Sequence, residues 1–164
     1  MSDFANLVDG GRRLGPLLTA ALFDTDALLL AAIPNGVPVA LGVVDSFAAP
    51  VRALAVARSD EGAAVATVPD LVGRTVIVID DGVETGTVAR AAAFALRESG
   101  VGMLVLAVPV CPHEAMADLQ HLYDRVVAVV TPMARRDLSW HYADFDTIDE
   151  AAAMRLLSDH NAIS

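Results

Sequence analysis

Val76-Ile77-Val78-Ile79-Asp80-Asp81-Gly82-Val83-Glu84-Thr85-Gly86-Thr87 is the stretch from which the rest of the chain can be read. Four β-branched residues behind Thr75 predict a buried strand over 75–79, which Asp80-Asp81-Gly82 brings to an end. Thr87 to Ser99 is Ala-rich at helical spacing and is closed by Gly100, so a helix follows the acidic loop. A short strand without polar alternation is buried on both faces, as in a parallel sheet covered by helices.

The same unit recurs on either side. Towards the N-terminus, Ala27 to Ile33 reads as an apolar strand ending at Pro34-Asn35-Gly36, with a short helix over Val37 to Ser46. Val51 to Ala57 reads as a second strand, followed by a polar loop at 58–62 and a short strand over Ala63 to Val68. Before these, Asp3 to Phe23 has helical spacing broken by Gly10-Gly11 and Gly15-Pro16, which predicts two short helices. Towards the C-terminus come a strand over Met103 to Val108, a helix over Pro112 to Leu122 and a strand over Arg125 to Val130. Thr147 with Glu150 reads as a capping box opening a last helix, Ile148 to Leu157, with a frayed tail.

Strands alternating with helices give an α/β fold, a mostly parallel twisted sheet flanked by helices in a Rossmann-like three-layer core. The 164 residues are the length of one domain, taken as 1–164. The chain is 55% hydrophobic and 5% aromatic, so its core must be aliphatic. Open parallel sheets bind ligands beyond the carboxyl ends of their strands, which puts the loops at 34–36, 58–62 and 80–87 on one crevice.

A net charge of −10, with eleven arginines and no lysine, provides no basic surface and excludes nucleic acid as an expected partner. The longest apolar runs fall short of the ~20 residues of a membrane-spanning helix. One cysteine, Cys111, and an N-terminus without the pattern of a secretion signal point to the cytoplasm. His113, His121, His141 and His160 lack metal-ligand spacing, so no protein metal site is expected.

The quoted stretch carries the chemistry. A helix N-terminus opening at Thr85-Gly86-Thr87 offers free N–H groups, close backbone approach at the glycine and two hydroxyls, which together suit a phosphate. Asp80 and Asp81 can accept hydrogen bonds from a ribose diol and stabilise positive charge developing on the sugar. Four apolar residues, two acids, three variable positions and Thr-Gly make a motif that resembles the type I phosphoribosyltransferases, and residues 76–86 match it fully. Further patches are similar to bacterial predicted phosphoribosyltransferases: 36–40, 90–92, 105–110 and Trp140-His141-Tyr142-Ala143-Asp144-Phe145.

The resemblance implies transfer of ribose 5-phosphate from phosphoribosyl pyrophosphate to a nitrogenous base. Asp80 and Asp81 would hold the ribose hydroxyls, residues 84–87 the 5′-phosphate, and magnesium would be bound mainly through the substrate. Glu84 stands where some members carry an acid that handles a base proton. Asn35, Gly36 and Arg58 are the candidates for the pyrophosphate side, and a homodimer is compatible with the family.

Three departures stand beside the match. Pro34-Asn35-Gly36 lacks the cation the family often has in that loop, Val88 replaces a hydroxyl, and Arg58 is the single cation in a short flexible loop. They keep open a second reading, a non-catalytic module that binds phosphoribosyl pyrophosphate or a nucleotide and regulates. A haloacid-dehalogenase-like or response-regulator-like domain also puts acids at strand ends, but Thr-Gly-Thr directly after them argues against it. Individual residues have plainer uses too: a strand-end turn for Asp80 and Asp81, a tight turn for Asn35-Gly36, and solvated loop charges for Glu84 and Arg58. Trp140 and Tyr142 either stack on a base or pack beneath the last helix. The acceptor base is not legible in the sequence.

Overall fold

The computed structural model describes residues 2–22 and 26–163. Phe23, the end of the expected helical stretch, lies outside the described residues, as does Met1. Among the described residues five helices run α1 (Leu7–Ala21), α2 (Gly36–Val43), α3 (Thr87–Glu98), α4 (His113–Leu122) and α5 (Glu150–Ile163). The strands are β1 (Ala27–Ala32), β2 (Val51–Leu54), β3 (Val56–Ser59), β4 (Gly62–Val65), β5 (Thr75–Ile79), β6 (Met103–Val110) and β7 (Arg125–Val130). Five of them form a parallel sheet in the order β2-β1-β5-β6-β7.

The pleat divides the aliphatic strands between two layers. Leu29, Ile77 and Val105 stand in register and face α1, α2 and α5, whereas Leu30, Val78 and Leu106 face α3 and α4. Both faces are therefore covered, and each fully buried leucine contributes roughly 1.5–3 kcal/mol.

The N-terminal region is one helix rather than the two expected. Asn6 caps it by accepting a hydrogen bond from the Asp9 N–H at 2.9 Å, and Gly10, Gly11 and Gly15 are buried within it. A Cβ at Gly11 would land on the Val39 carbonyl oxygen, and one at Gly42 on the Val8 carbonyl oxygen. Gly11, Gly15 and Gly42 are the contact surface through which α1 and α2 lie backbone to backbone, and Gly10 clears Pro109 and the Tyr142 hydroxyl, so the glycines of α1 do not break it.

Two other expectations shift. The strand read over Val51 to Ala57 divides at Ala55, and its second half leaves the sheet to pair antiparallel with β4. The stretch read as the loop 58–62 is thus the tip of a hairpin that packs against α3. The last helix is capped by Asp149, whose carboxylate accepts from the Ala152 N–H at 2.7 Å, in place of Thr147. It continues helically to Ile163, beyond the fraying point expected from the sequence.

An extended N-terminal strap closes one end. The Phe4 N–H donates to the His141 carbonyl at 3.0 Å, and the Ala143 and Asp144 N–H groups donate back to Phe4 and Ala5 at 2.8 and 2.9 Å. His141, buried, places Nδ1 2.7 Å from the Asp3 carboxylate.

Candidate active site

From β1 the chain moves outward to β2, then returns past β1 to β5. The direction of winding thus reverses between β1 and β5, the position at which an open parallel sheet leaves a crevice at its carboxyl edge. A cleft of about 410 Å³ opens there, lined by Pro34 and Asn35 after β1, 80–89 after β5, Arg58 from the hairpin, and Leu138 and Phe145 from the late segment. It reaches down to Val78, Leu106 and Val108 of the strands.

Asp80 and Asp81 sit at the mouth of β5. The Asp81 N–H donates to Asp80 Oδ1 at 2.8 Å, and Asp81 Oδ2 accepts from Asn35 Nδ2 at 3.3 Å. Burial, followed by the charge of Asp81, raises the Asp80 carboxyl well above the usual carboxylate range. Asp81 is also raised by burial, opposed by hydrogen bonds from Asp80 and Asn35 and by the Arg58 charge. Both carboxyls of the pair are thus held above the usual range, chiefly by burial.

Asn35 faces the acids, and both ends of its amide are engaged. Its Oδ1 accepts from the Ile148 N–H at 3.0 Å while its Nδ2 donates to Asp81, so it ties the loop after β1 to the approach of α5. Gly36 is buried outside the cleft lining. A Cβ there would stand 2.6 Å from the Ile79 carbonyl oxygen, so the glycine lets α2 begin directly against the end of β5.

At the start of α3, Gly86 is left-handed at φ +83°, a conformation that favours glycine. The hydroxyls of Thr85 and Thr87 are 3.0 Å apart, and Arg90 Nη2 donates to the Thr85 carbonyl at 3.1 Å, which locks the turn. The first N–H groups of α3 have no acceptor within the helix and open onto the cleft. Glu84 accepts a hydrogen bond from the Leu138 N–H at 2.9 Å through Oε1. Arg58 is exposed on the rim.

The late aromatic residues separate. Tyr142 is buried between Phe4 and Phe145, and its hydroxyl donates to the Asp81 carbonyl at 2.7 Å, while burial raises its phenol. Trp140 stands outside the cleft lining, with the Arg136 guanidinium 4.4 Å from its ring centroid. The aromatic in the cleft wall is Phe145, and Leu138 lies beside the acids because Gly82 has no Cβ to meet its side chain. Sequence reading left Leu138, Phe145 and Arg90 without a site role; Phe145 and Arg90 were signalled only by membership of the patches at 140–145 and 90–92, and Leu138 by nothing.

No group of three or more histidine, cysteine, aspartate or glutamate side chains arranged to hold a metal occurs among the described residues. No described helix is long and apolar enough to cross a membrane.

Among solved structures, TT1426 of Thermus thermophilus is similar over 97% of this chain and 99% of its own, with a TM-score of 0.82 at 20% identity. A hypoxanthine-guanine phosphoribosyltransferase from Bacillus anthracis is similar over 66% of this chain and 68% of its own, with a TM-score of 0.57 at 11% identity. The chain has the phosphoribosyltransferase fold. A hypothetical protein from Neisseria gonorrhoeae, solved with bound ppGpp, shares this fold over 94% of this chain and 92% of its own, with a TM-score of 0.61 at 15% identity. In sequence, a Mycobacterium tuberculosis protein provisionally named a phosphoribosyl transferase is 40% identical over 62 residues, 38% of this chain and 14% of that protein's length. The resemblance carried by residues 76–86 is thus met both in a relative's name and in the phosphoribosyltransferase fold. No protein-family model matches the chain.

Proposed function

We propose that the protein, acting as one unit in the cytoplasm, transfers ribose 5-phosphate from phosphoribosyl pyrophosphate to a ring nitrogen of a base. The carrying observation is the adjacency of two functional groups in one cleft: the acid pair Asp80–Asp81 and the phosphate-competent turn Thr85-Gly86-Thr87. Their separation along one loop suits a five-carbon sugar phosphate with its diol on the acids and its 5′-phosphate on the first turn of α3.

In this reading the bond from the sugar C1 to the pyrophosphate oxygen breaks as the base nitrogen bonds to C1 from the opposite face. Asp80 and Asp81 accept hydrogen bonds from the ribose hydroxyls and oppose the positive charge on the ring. Glu84 keeps Oε2 free of the Leu138 contact, so it is the candidate to take the proton leaving the base. Leu138 and Phe145 form the apolar wall against which a planar acceptor packs.

Two neighbouring carboxylates, with no third protein ligand among the described residues, fit magnesium held mainly by substrate oxygens and water. Bound in that way, the ion would neutralise the pyrophosphate and favour its departure.

A second reading, a regulatory module that binds a phosphorylated nucleotide or phosphoribosyl pyrophosphate without turnover, has specific support. Asn35 is spent on Asp81 and Ile148, Arg58 is the only cation among the described residues that line the cleft, and a structural neighbour was solved with ppGpp. Calorimetric titration of phosphoribosyl pyrophosphate with magnesium into the wild type and Asp80→Asn/Asp81→Asn distinguishes the readings, together with pyrophosphate release across a panel of bases. Binding lost in the double variant with release for one base supports the transferase. Binding without release supports the module, and binding in neither protein refutes both.

A further inference from the structure

The sheet ends at β7, and among the described residues no strand covers its outer side. The strand is apolar, and Val126 to Val130 are all half-buried. Such an edge presents a row of unpaired backbone groups, which proteins ordinarily blunt with charge, proline or a bulge. Between Arg125 and Thr131 this one has none of these devices.

The directions of its backbone groups can be assigned. The Cys111 N–H donates to the Val130 carbonyl at 3.1 Å, the His113 N–H to the Pro132 carbonyl at 2.9 Å, and the Asp124 N–H to the Leu104 carbonyl at 2.8 Å. Even-numbered residues therefore point their groups towards β6 and its flanks. Because successive residues alternate, Arg125, Val127, Val129 and Thr131 point theirs outward.

The sequence of the strand is Val126-Val127-Ala128-Val129-Val130, which reads the same in both directions about Ala128. An antiparallel strand of identical sequence, placed by a two-fold axis through Ala128, sets Val127 opposite Val129 of the second copy and Arg125 opposite its Thr131. All four are outward-pointing residues, so each facing pair can exchange two N–H to carbonyl hydrogen bonds. Val126 then lies opposite Val130 and Ala128 opposite itself, in the non-hydrogen-bonded positions where side chains meet closely. The smallest residue falls on the axis. Backbone phase and sequence symmetry thus agree on one register, and on a second copy of the chain as the occupant, since an unrelated strand would not need the symmetry.

We propose that two copies of this chain join antiparallel through β7 about a two-fold axis at Ala128, making a continuous ten-stranded sheet. The pairing does not depend on the function proposed above. A contact one strand long lies at the small end of stable interfaces, so association is expected on the order of 1–100 µM. Each chain carries a net charge of −10, so added salt strengthens the dimer by screening repulsion.

Sedimentation equilibrium on the full chain should give twice the 17.1 kDa chain mass at high concentration, and more dimer at higher salt. In a Cys111→Ala background, Ala128→Cys should cross-link to itself under mild oxidation, because opposed Cα atoms at such a pair are ~4.5 Å apart, within disulfide reach. Val126→Cys should not, since it faces Val130. Val127→Pro removes an outward N–H and should give a monomer that keeps the far-ultraviolet circular dichroism of the wild type. A monomer throughout the concentration range overturns the proposal. So does a dimer in which Ala128→Cys fails to cross-link. If Val127→Pro does not fold, the cross-linking pair decides alone.

Discussion

Asp80 combines a raised carboxyl with a place at the mouth of the cleft, and the two properties pull in opposite directions. A folded-state pKa above that of the unfolded chain means that the native state binds the extra proton, so stability is greatest in acid and declines as pH rises from about 4 through the folded value. Asp80→Asn keeps an oxygen for the Asp81 N–H and removes the ionisation. It should stabilise the protein at pH 7 by about 1 kcal/mol, a melting-point gain of a few degrees that vanishes near pH 3.5, while ligand binding is lost. Equal melting points at pH 7 would show that the acid is not strained by its site. Tyr142 works the other way. Tyr142→Phe leaves the buried Asp81 carbonyl without its donor and should cost about 1–3 kcal/mol in urea unfolding.

The residues on the 80–87 loop were legible because they are local: strand, acids, glycine and hydroxyls follow one another within a dozen positions. Tyr142, Leu138 and Phe145 meet that loop from more than fifty residues away. Only folding brings a backbone N–H at 138 to Glu84, and no spacing rule encodes that contact.

At the scale of elements, the type and order of the main strands and helices followed from apolar runs and their punctuation. The misreadings fell where tertiary packing overrides local propensity. Gly10, Gly11 and Gly15 looked like helix breakers, yet α1 needs Gly11 and Gly15 for its approach to α2 and Gly10 to clear Pro109 and Tyr142, and a glycine that weakens an isolated helix by about 1 kcal/mol is retained where a Cβ would block the neighbour. The strand at 51–57 could not show that its second half leaves the sheet, since both halves are β-compatible. Gly36 sets the seat of α2 on β5, and Gly36→Ala must move the helix to relieve a contact with the Ile79 carbonyl. It should lower stability by about 1–3 kcal/mol. Because Asn35 precedes it, ligand affinity should fall with it; guanidinium unfolding and calorimetry on the same variant read both losses.

For the molecule as a whole, the sheet order puts the winding reversal, the acid pair and the phosphate-competent turn at one place, and this much was implied by strands alternating with helices. The far wall was not, because it is built by the late segment 138–146 after the last strand, held by Glu84 at Leu138, and by the Asp81 carbonyl and the N-terminal strap at 141–144. The protein's single tryptophan, Trp140, stands on that wall between the anchored residues Leu138 and Tyr142, 47% exposed and covered by Arg136. The chain therefore carries its own optical reporter, sited two residues from Leu138 and two from Tyr142 yet outside the cleft lining. Filling the cleft should shift its emission without touching the indole, and Glu84→Ala, which releases the wall at Leu138, should abolish that shift. Steady-state fluorescence of the unlabelled protein can thus follow occupancy of the cleft, and stopped-flow its time course.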